Sequence, residues 1–508
     1  MRSTAPALTL AILVAVSACS STGGTPATSA PAGNSSSTTT TTRPSPTSVP
    51  VTTTGPATGD GPAARPDTGL PSGSPGAPGL GDPYFPGIGN GGYDVEHYLL
   101  DLTVDPVENL LDGLVTIEAT ATQDLSAFNL DVVGLLVSDV SVDGAGAAFV
   151  LGDEELTITP AAVVPSGEGF SVAVTYSGRP QPIFLESADI EMGWYHTGSG
   201  IYVAAEPISA RTWFPSNDHP ADKASFTFRI TVPEPYQAVA TGRLAATTSD
   251  GTLTTSVWEM EAPMATYLAS IGVGRYRRFE RSGPDGILLR DYAPADYLGD
   301  LPPAFGAVEE MIPFLEERFG PFPFDTYGHL IVDGFPTALE NQTLSLFGRF
   351  LLRDPDLEFF VVHELAHMWF GDSVTPAGWN DIWLNEGFAT FAEYLWIGHR
   401  FGEDSMIRDI RGDHAFLRSV RHDPPGDPGV AGLFGTGVYI RGGLTLHALR
   451  AEVGDEAFFE ALRTYADRFR HANASTADFI AVVEETAGRD LTGFFQAWLY
   501  AETVPDLP

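Results

Sequence analysis

Apolar and polar residues alternate along several stretches in the first half of the chain. Tyr98, Leu100, Leu102 and Val104 form one such run. Phe170, Val172, Val174 and Tyr176 form another, and Phe226, Phe228, Ile230 and Val232 a third. A period of two puts one side of each segment in a core and the other toward water, which predicts half-buried strands. Residues 84–282 therefore read as a mostly antiparallel β domain. Beyond 283 a short strand-rich stretch gives way to helical spacing at Phe305, Val308, Ile312, Leu315 and Phe319. Helical patterns recur at 357–371, 386–400, 438–452, 456–470, 476–487 and 491–500. Strands followed by helices predict an α+β, multidomain fold, with a mainly α second domain over 283–508. No internal repeat is visible.

The first 83 residues follow neither period. Residues 20–83 are dominated by Ser, Thr, Pro, Gly and Ala, a composition too poor in apolar area to fold alone, and they read as a spacer. Ahead of them, Arg2 and the apolar run from Ala7 to Val16 have the build of a signal peptide. The run falls short of the ~20 apolar residues that span a bilayer. Val16-Ser17-Ala18-Cys19 resembles a bacterial lipobox, which implies processing after residue 18 and a diacylglycerol on Cys19. That resemblance predicts an exported protein, lipid-anchored on the outer side of the cytoplasmic membrane. Cys19 is the single cysteine, so no disulfide can form within one chain.

Composition narrows the partners. Apolar residues make up 43% of the 508, enough for a large core. The net charge is −38, with one lysine, Lys223, among 27 cations. Such a balance excludes nucleic acid, which needs clustered cations, and electrostatic docking on anionic lipid.

The strongest chemical signal is His363-Glu364-Leu365-Ala366-His367, directly after the apolar segment Leu357 to Val362. Histidines at i and i+4 project from one helical face and can share a metal ion. A catalytic zinc takes three protein ligands and leaves one position open. Glu386, in Asn385-Glu386-Gly387, supplies the third ligand, with eighteen residues between it and His367. Glu364 lies beside the ligands without being one, and can take the proton of the attacking water.

His-Glu-Leu-Ala-His, eighteen residues, then Asn-Glu-Gly resembles the gluzincin pattern of zinc peptidases, and the chain over nearly all of 84–508 resembles the aminopeptidase N family. The likeness is carried by four further segments. Glu206-Pro207-Ile208-Ser209-Ala210-Arg211 leads into Trp213 to Pro220. Met264-Ala265-Thr266-Tyr267-Leu268 precedes the second domain. Trp383 to Ala389 surrounds Glu386. Gly437-Val438-Tyr439-Ile440-Arg441-Gly442 lies farther on. The resemblance implies a saddle-like N-terminal β domain and a thermolysin-like catalytic domain, with one zinc ion and peptide substrates. It also implies that Glu340 and Glu206 bind the substrate's α-ammonium group and that Tyr439 donates to the oxyanion. The sequence departs from the family at Thr337 and Leu339, where glycine and methionine are usual, and at Arg441, where lysine is usual. A free-amine requirement is a task for carboxylates. Two other readings use the same residues: an endopeptidase or epoxide-hydrolase-like enzyme, and a non-catalytic surface binding protein. His219, His329 and His447 read as packing or surface residues, and Trp369, Phe370 and Trp383 as core.

Overall fold

Alternating strands with one greasy face pair into sheets that close over that face. The computed structural model describes residues 73–185 and 189–508. The predicted signal peptide, Cys19 and the spacer up to residue 72 lie outside the described residues. An eight-stranded sheet is built, in spatial order, from Arg243–Ser249, Leu253–Ala265, Lys223–Pro233, Tyr93–Asp105, Leu110–Ala121, Gly169–Gly178, Leu136–Val142 and Ala145–Gly146. Its pairings are antiparallel except that Lys223–Pro233 runs parallel to Tyr93–Asp105. The predicted apolar runs all face inward. Tyr98 stacks on Phe226 with ring centroids 4.8 Å apart, and Phe226 on Phe228 at 5.6 Å.

Two smaller sheets complete the β domain. One contains Gly200–Ala204, whose end delivers Glu206 toward the second domain. The other starts with Ser74–Pro75, which pairs in parallel with Leu125–Asp131. This moves one expected boundary: residues 73–83, assigned to the spacer, are part of the folded unit. Asp82 explains why. Its buried carboxylate accepts hydrogen bonds from the backbone N–H of Tyr84, Phe85 and Trp379, and lies 3.3 Å from His219. Burial raises its pKa, but those bonds outweigh burial and hold the carboxyl below its ordinary value.

A second boundary also moves. Tyr276–Ser282, placed at the end of the β domain, pairs with Leu288–Pro294 and so belongs to the second domain's sheet. That sheet runs Tyr276–Ser282, Leu288–Pro294, Thr326–Val332, Ser345–Gly348 and Ala338–Leu339, the last forming an edge. Helices Val308–Phe319, Leu357–Ala366, Trp383–Phe401, Gly442–Val453, Asp455–Arg468 and Thr476–Ala487 make up most of the remainder. Trp369, Phe370 and Trp383 are buried, as expected of core. Phe388, Phe479 and Tyr465 pack around Phe370 and Trp383 at centroid distances of 4.4–6.1 Å. The sole lysine clasps the two domains: Lys223 Nζ donates to the carbonyls of Asp372 (2.8 Å) and Ser373 (2.9 Å). Among the described residues no helix is long and apolar enough to cross a membrane.

Candidate active site

Helix Leu357–Ala366 is buried nearly all round, so its two histidines project into the protein and not into solvent. The longer helix Trp383–Phe401 crosses it and brings Glu386 opposite. Glu386 Oε2 lies 3.2 Å from His363 Nε2 and 3.5 Å from His367 Nε2. A tetrahedral zinc with bonds of about 2.0–2.1 Å needs ligand atoms about 3.3–3.4 Å apart. The observed separations match that edge length. The donor set fits as well: two imidazoles and a carboxylate, all buried.

The far side of each imidazole is already engaged. His363 Nδ1 is 2.7 Å from Glu393 Oε1, and His367 Nδ1 is 3.1 Å from the carbonyl oxygen of Phe370. Both partners are acceptors, so each Nδ1 carries the proton and each Nε2 keeps its lone pair for a metal. Sequence reading had missed Glu393. The signal was present, since Glu393 lies seven residues after Glu386 and therefore on the same helical face.

Around these ligands the site gathers an excess of negative charge. Glu206, Glu340, Glu364, Glu386 and Asp372 are all buried. Oxygens of Glu206, Glu340 and Glu386 lie within 4.8 Å of one another, as do ligand atoms of Glu340, Glu364 and His367. Burial, reinforced by Glu340 and the other acids, pushes the Glu206 carboxyl well above its ordinary range. Glu340 is raised by burial too, with His367 opposing. With no metal charge beside it, burial pushes Glu364 up to about 8, against the pull of His363 and His367; a zinc ion at the neighbouring ligands would favour its carboxylate form. Glu386 goes the other way: burial would raise it, but the two histidines hold it at about 2. Glu206 Oε1, Glu340 Oε1 and Glu364 Oε2 have no hydrogen-bond partner among the described residues. A cluster with this many acceptors and so few donors is built to receive cations. Asp372 had not been identified from sequence, and no local pattern marks it.

Tyr439 lies in a single π-helical turn, Gly437–Arg441, a distortion that often marks a functional segment. Its ring is parallel to that of His363 with centroids 6.0 Å apart. Burial, then the charges of Glu386 and Glu206, keep its hydroxyl firmly protonated. Arg441 anchors the turn from behind, donating to the carbonyls of Trp498 (2.8 Å) and Ala501 (2.6 Å). The structure thus brings together His363, Glu364, His367, Glu386, Glu340, Glu206 and Tyr439. His219 and His329 sit elsewhere as buried, carboxylate-paired packing residues.

A β-rich domain joined to a helical one, with two helices presenting two histidines and a glutamate at zinc spacing, is the build of a zinc metallopeptidase. The Peptidase M1 N-terminal domain matches residues 94–268, and the Peptidase family M1 domain matches residues 304–498. The M1 zinc metallopeptidase from Deinococcus radiodurans is 33% identical, with a TM-score of 0.79, covering 85% of this chain and 98% of that one. A mutant of that enzyme bound to a Tyr-Ser-Ala substrate is 32% identical, also with a TM-score of 0.79, covering 85% and 99%. Aminopeptidase N from Streptomyces lividans is 28% identical over 451 residues, 78% of this chain and 50% of the relative. The chain therefore belongs to the M1 family of zinc metallopeptidases, the aminopeptidase N family, whose cofactor is zinc. It spans about half the length of that Streptomyces relative.

Proposed function

We propose that this protein is an aminopeptidase that removes single residues from the N-termini of peptides. The observation that carries the reading is the pair of buried carboxylates, Glu206 and Glu340, whose oxygens approach Glu386 and lack donors of their own. A substrate ammonium supplies those donors and cancels the charge. Fixing the terminus there places only the first peptide bond at the metal ligands.

Zinc held by His363, His367 and Glu386 would polarise the first carbonyl and make a water acidic enough to attack at neutral pH. Glu364 takes that water's proton and carries it to the departing amine; its unpartnered, buried Oε2 suits the task. Tyr439 donates to the oxygen on which negative charge develops.

Glu340→Gln should lower kcat/KM by about ten- to a hundredfold on substrates with free N-termini, the loss of one charge-assisted bond. It should change little on N-acetylated peptides, which should already be poor. Equal losses on both would remove Glu340 as the amine anchor.

The same proposal places the enzyme outside the cytoplasmic membrane, tethered through Cys19. Support comes from the Val16-Ser17-Ala18-Cys19 segment and the spacer composition that follows it. Cys19→Ser should leave the precursor unprocessed or release the protein from membranes. Unchanged detergent partitioning and fatty-acid labelling in that variant would rule the anchor out.

A further inference from the structure

A peptide held by its ammonium at Glu206 and Glu340 has one direction in which to extend. Among the described residues, strand Ala338–Leu339 pairs only with Ser345–Gly348 and leaves its other side unpaired. The Thr337 carbonyl accepts from Gly348 N–H at 2.9 Å, so Thr337 faces the sheet. Backbone alternation then turns the N–H and C=O of Ala338 to the open edge. A substrate starting at Glu340 and pairing with that edge runs antiparallel to it, past Ala338 and Thr337 to Pro336. Pro336 has no N–H, and the ladder ends there.

A cavity of about 640 Å³ opens at that point. Its apolar lining includes Phe335, Pro336, Phe350 and Leu352, and its cations are Arg349 and Arg353. Arg349 is already answered by Asp296 at 3.0 Å and by Asp333 at 3.5 Å. Arg353 has no ion-pair or hydrogen-bond partner among the described residues and is exposed. At about 3.3 Å per residue, the four steps from Glu340 to Pro336 span at most about 13 Å. Four such steps from a first residue opposite Glu340 bring the fifth residue of a bound peptide to Pro336 and the cavity.

We propose that this cavity is the downstream end of the peptide track: Phe335, Phe350 and Leu352 receive an apolar or aromatic side chain at the fifth residue, and Arg353 takes the peptide's C-terminal carboxylate. The inference rests on the aminopeptidase reading and deepens it, naming short peptides with an apolar C-terminal residue as the substrate class. No covalent step is involved. The carboxylate meets a guanidinium at a solvent-exposed place, so the effect is moderate.

The test uses purified, zinc-loaded enzyme and three substrates: Ala-Ala-Ala-Ala-Phe as the free acid, the same peptide as its C-terminal amide, and alanine p-nitroanilide. The wild type should favour the acid over the amide by about three- to tenfold in kcat/KM, mainly through KM. Arg353→Glu should abolish or reverse that preference, and Arg353→Lys should retain part of it. Equal rates of the wild type on acid and amide would overturn the inference. So would a preference that survives in Arg353→Glu. Alanine p-nitroanilide has no residue beyond the cut bond, so failure on that substrate condemns the aminopeptidase reading, whereas failure of the acid–amide comparison condemns only the cavity.

Discussion

Glu364→Gln is expected to keep its zinc and lose about 10²–10⁴-fold in kcat, the usual contribution of a positioned general base. The two side chains have nearly the same shape. Glu364 lies outside the set of His363, His367 and Glu386, whose atoms already match a zinc coordination edge. The amide nitrogen cannot accept a proton, and in the wild type nothing else among the described residues bonds to Glu364 Oε2. In energy the expected loss is about 3–5 kcal/mol of transition-state stabilisation. Metal content by atomic absorption and turnover of an amino-acid p-nitroanilide measure the two halves separately. Wild-type turnover at full zinc occupancy would end the assignment of Glu364 as base. Zinc loss in that variant would show instead that the carboxylate helps to hold the metal.

Tyr439→Phe is expected to lower kcat by about 10²–10³-fold, comparable to removing one oxyanion donor, with KM nearly unchanged. The phenyl ring can keep the parallel stacking on His363, and Arg441 still fastens the π-helical turn to the carbonyls of Trp498 and Ala501. Only the hydroxyl is lost, and it matters chiefly once the carbonyl oxygen has become an anion. A rise in KM with kcat preserved would assign Tyr439 to ground-state binding. The pH profile of kcat offers a control, since a hydroxyl kept protonated by burial should titrate outside the working range.

What was legible in the sequence divides along the range of the interactions involved. His363, Glu364 and His367 fall within one helical turn, and their geometry follows from helix periodicity alone. Glu386 lies on the next long helix, close enough in sequence for spacing to indicate it. Glu393 was equally readable, two turns beyond Glu386, and had been passed over. Glu206 and Glu340 were different: one follows a strand of the β domain and the other an edge strand of the catalytic sheet. No local rule brings them together, and only family resemblance indicated them. Asp372 and Arg353 had no such pointer, because their significance depends on what surrounds them in three dimensions.

The misplaced boundaries have the same origin. Tyr276–Ser282 has only Tyr276 and Phe279 as apolar residues and no alternation to place it; pairing with Leu288–Pro294 decides the domain. Residues 73–83 share the composition of the spacer, yet Asp82 makes specific bonds with Trp379 across the fold. Helix Glu403–Leu417 was not predicted. It buries only Met406, Ile410, Asp413 and Leu417, and one of those four is charged. Asp413 accepts from the Tyr394 hydroxyl at 2.6 Å, so a polar contact anchors what pattern reading expects hydrophobic residues to anchor.

If Glu206 and Glu340 fix a free N-terminus beside the metal ligands, residues leave one at a time. Mass spectrometry of a short, unstructured peptide digested over time tests this most directly, with its N-acetylated twin run in parallel. The free peptide should give a ladder shortening from its N-terminus, and the acetylated peptide should stay largely intact. Internal fragments appearing early, at similar rates from both peptides, would contradict it.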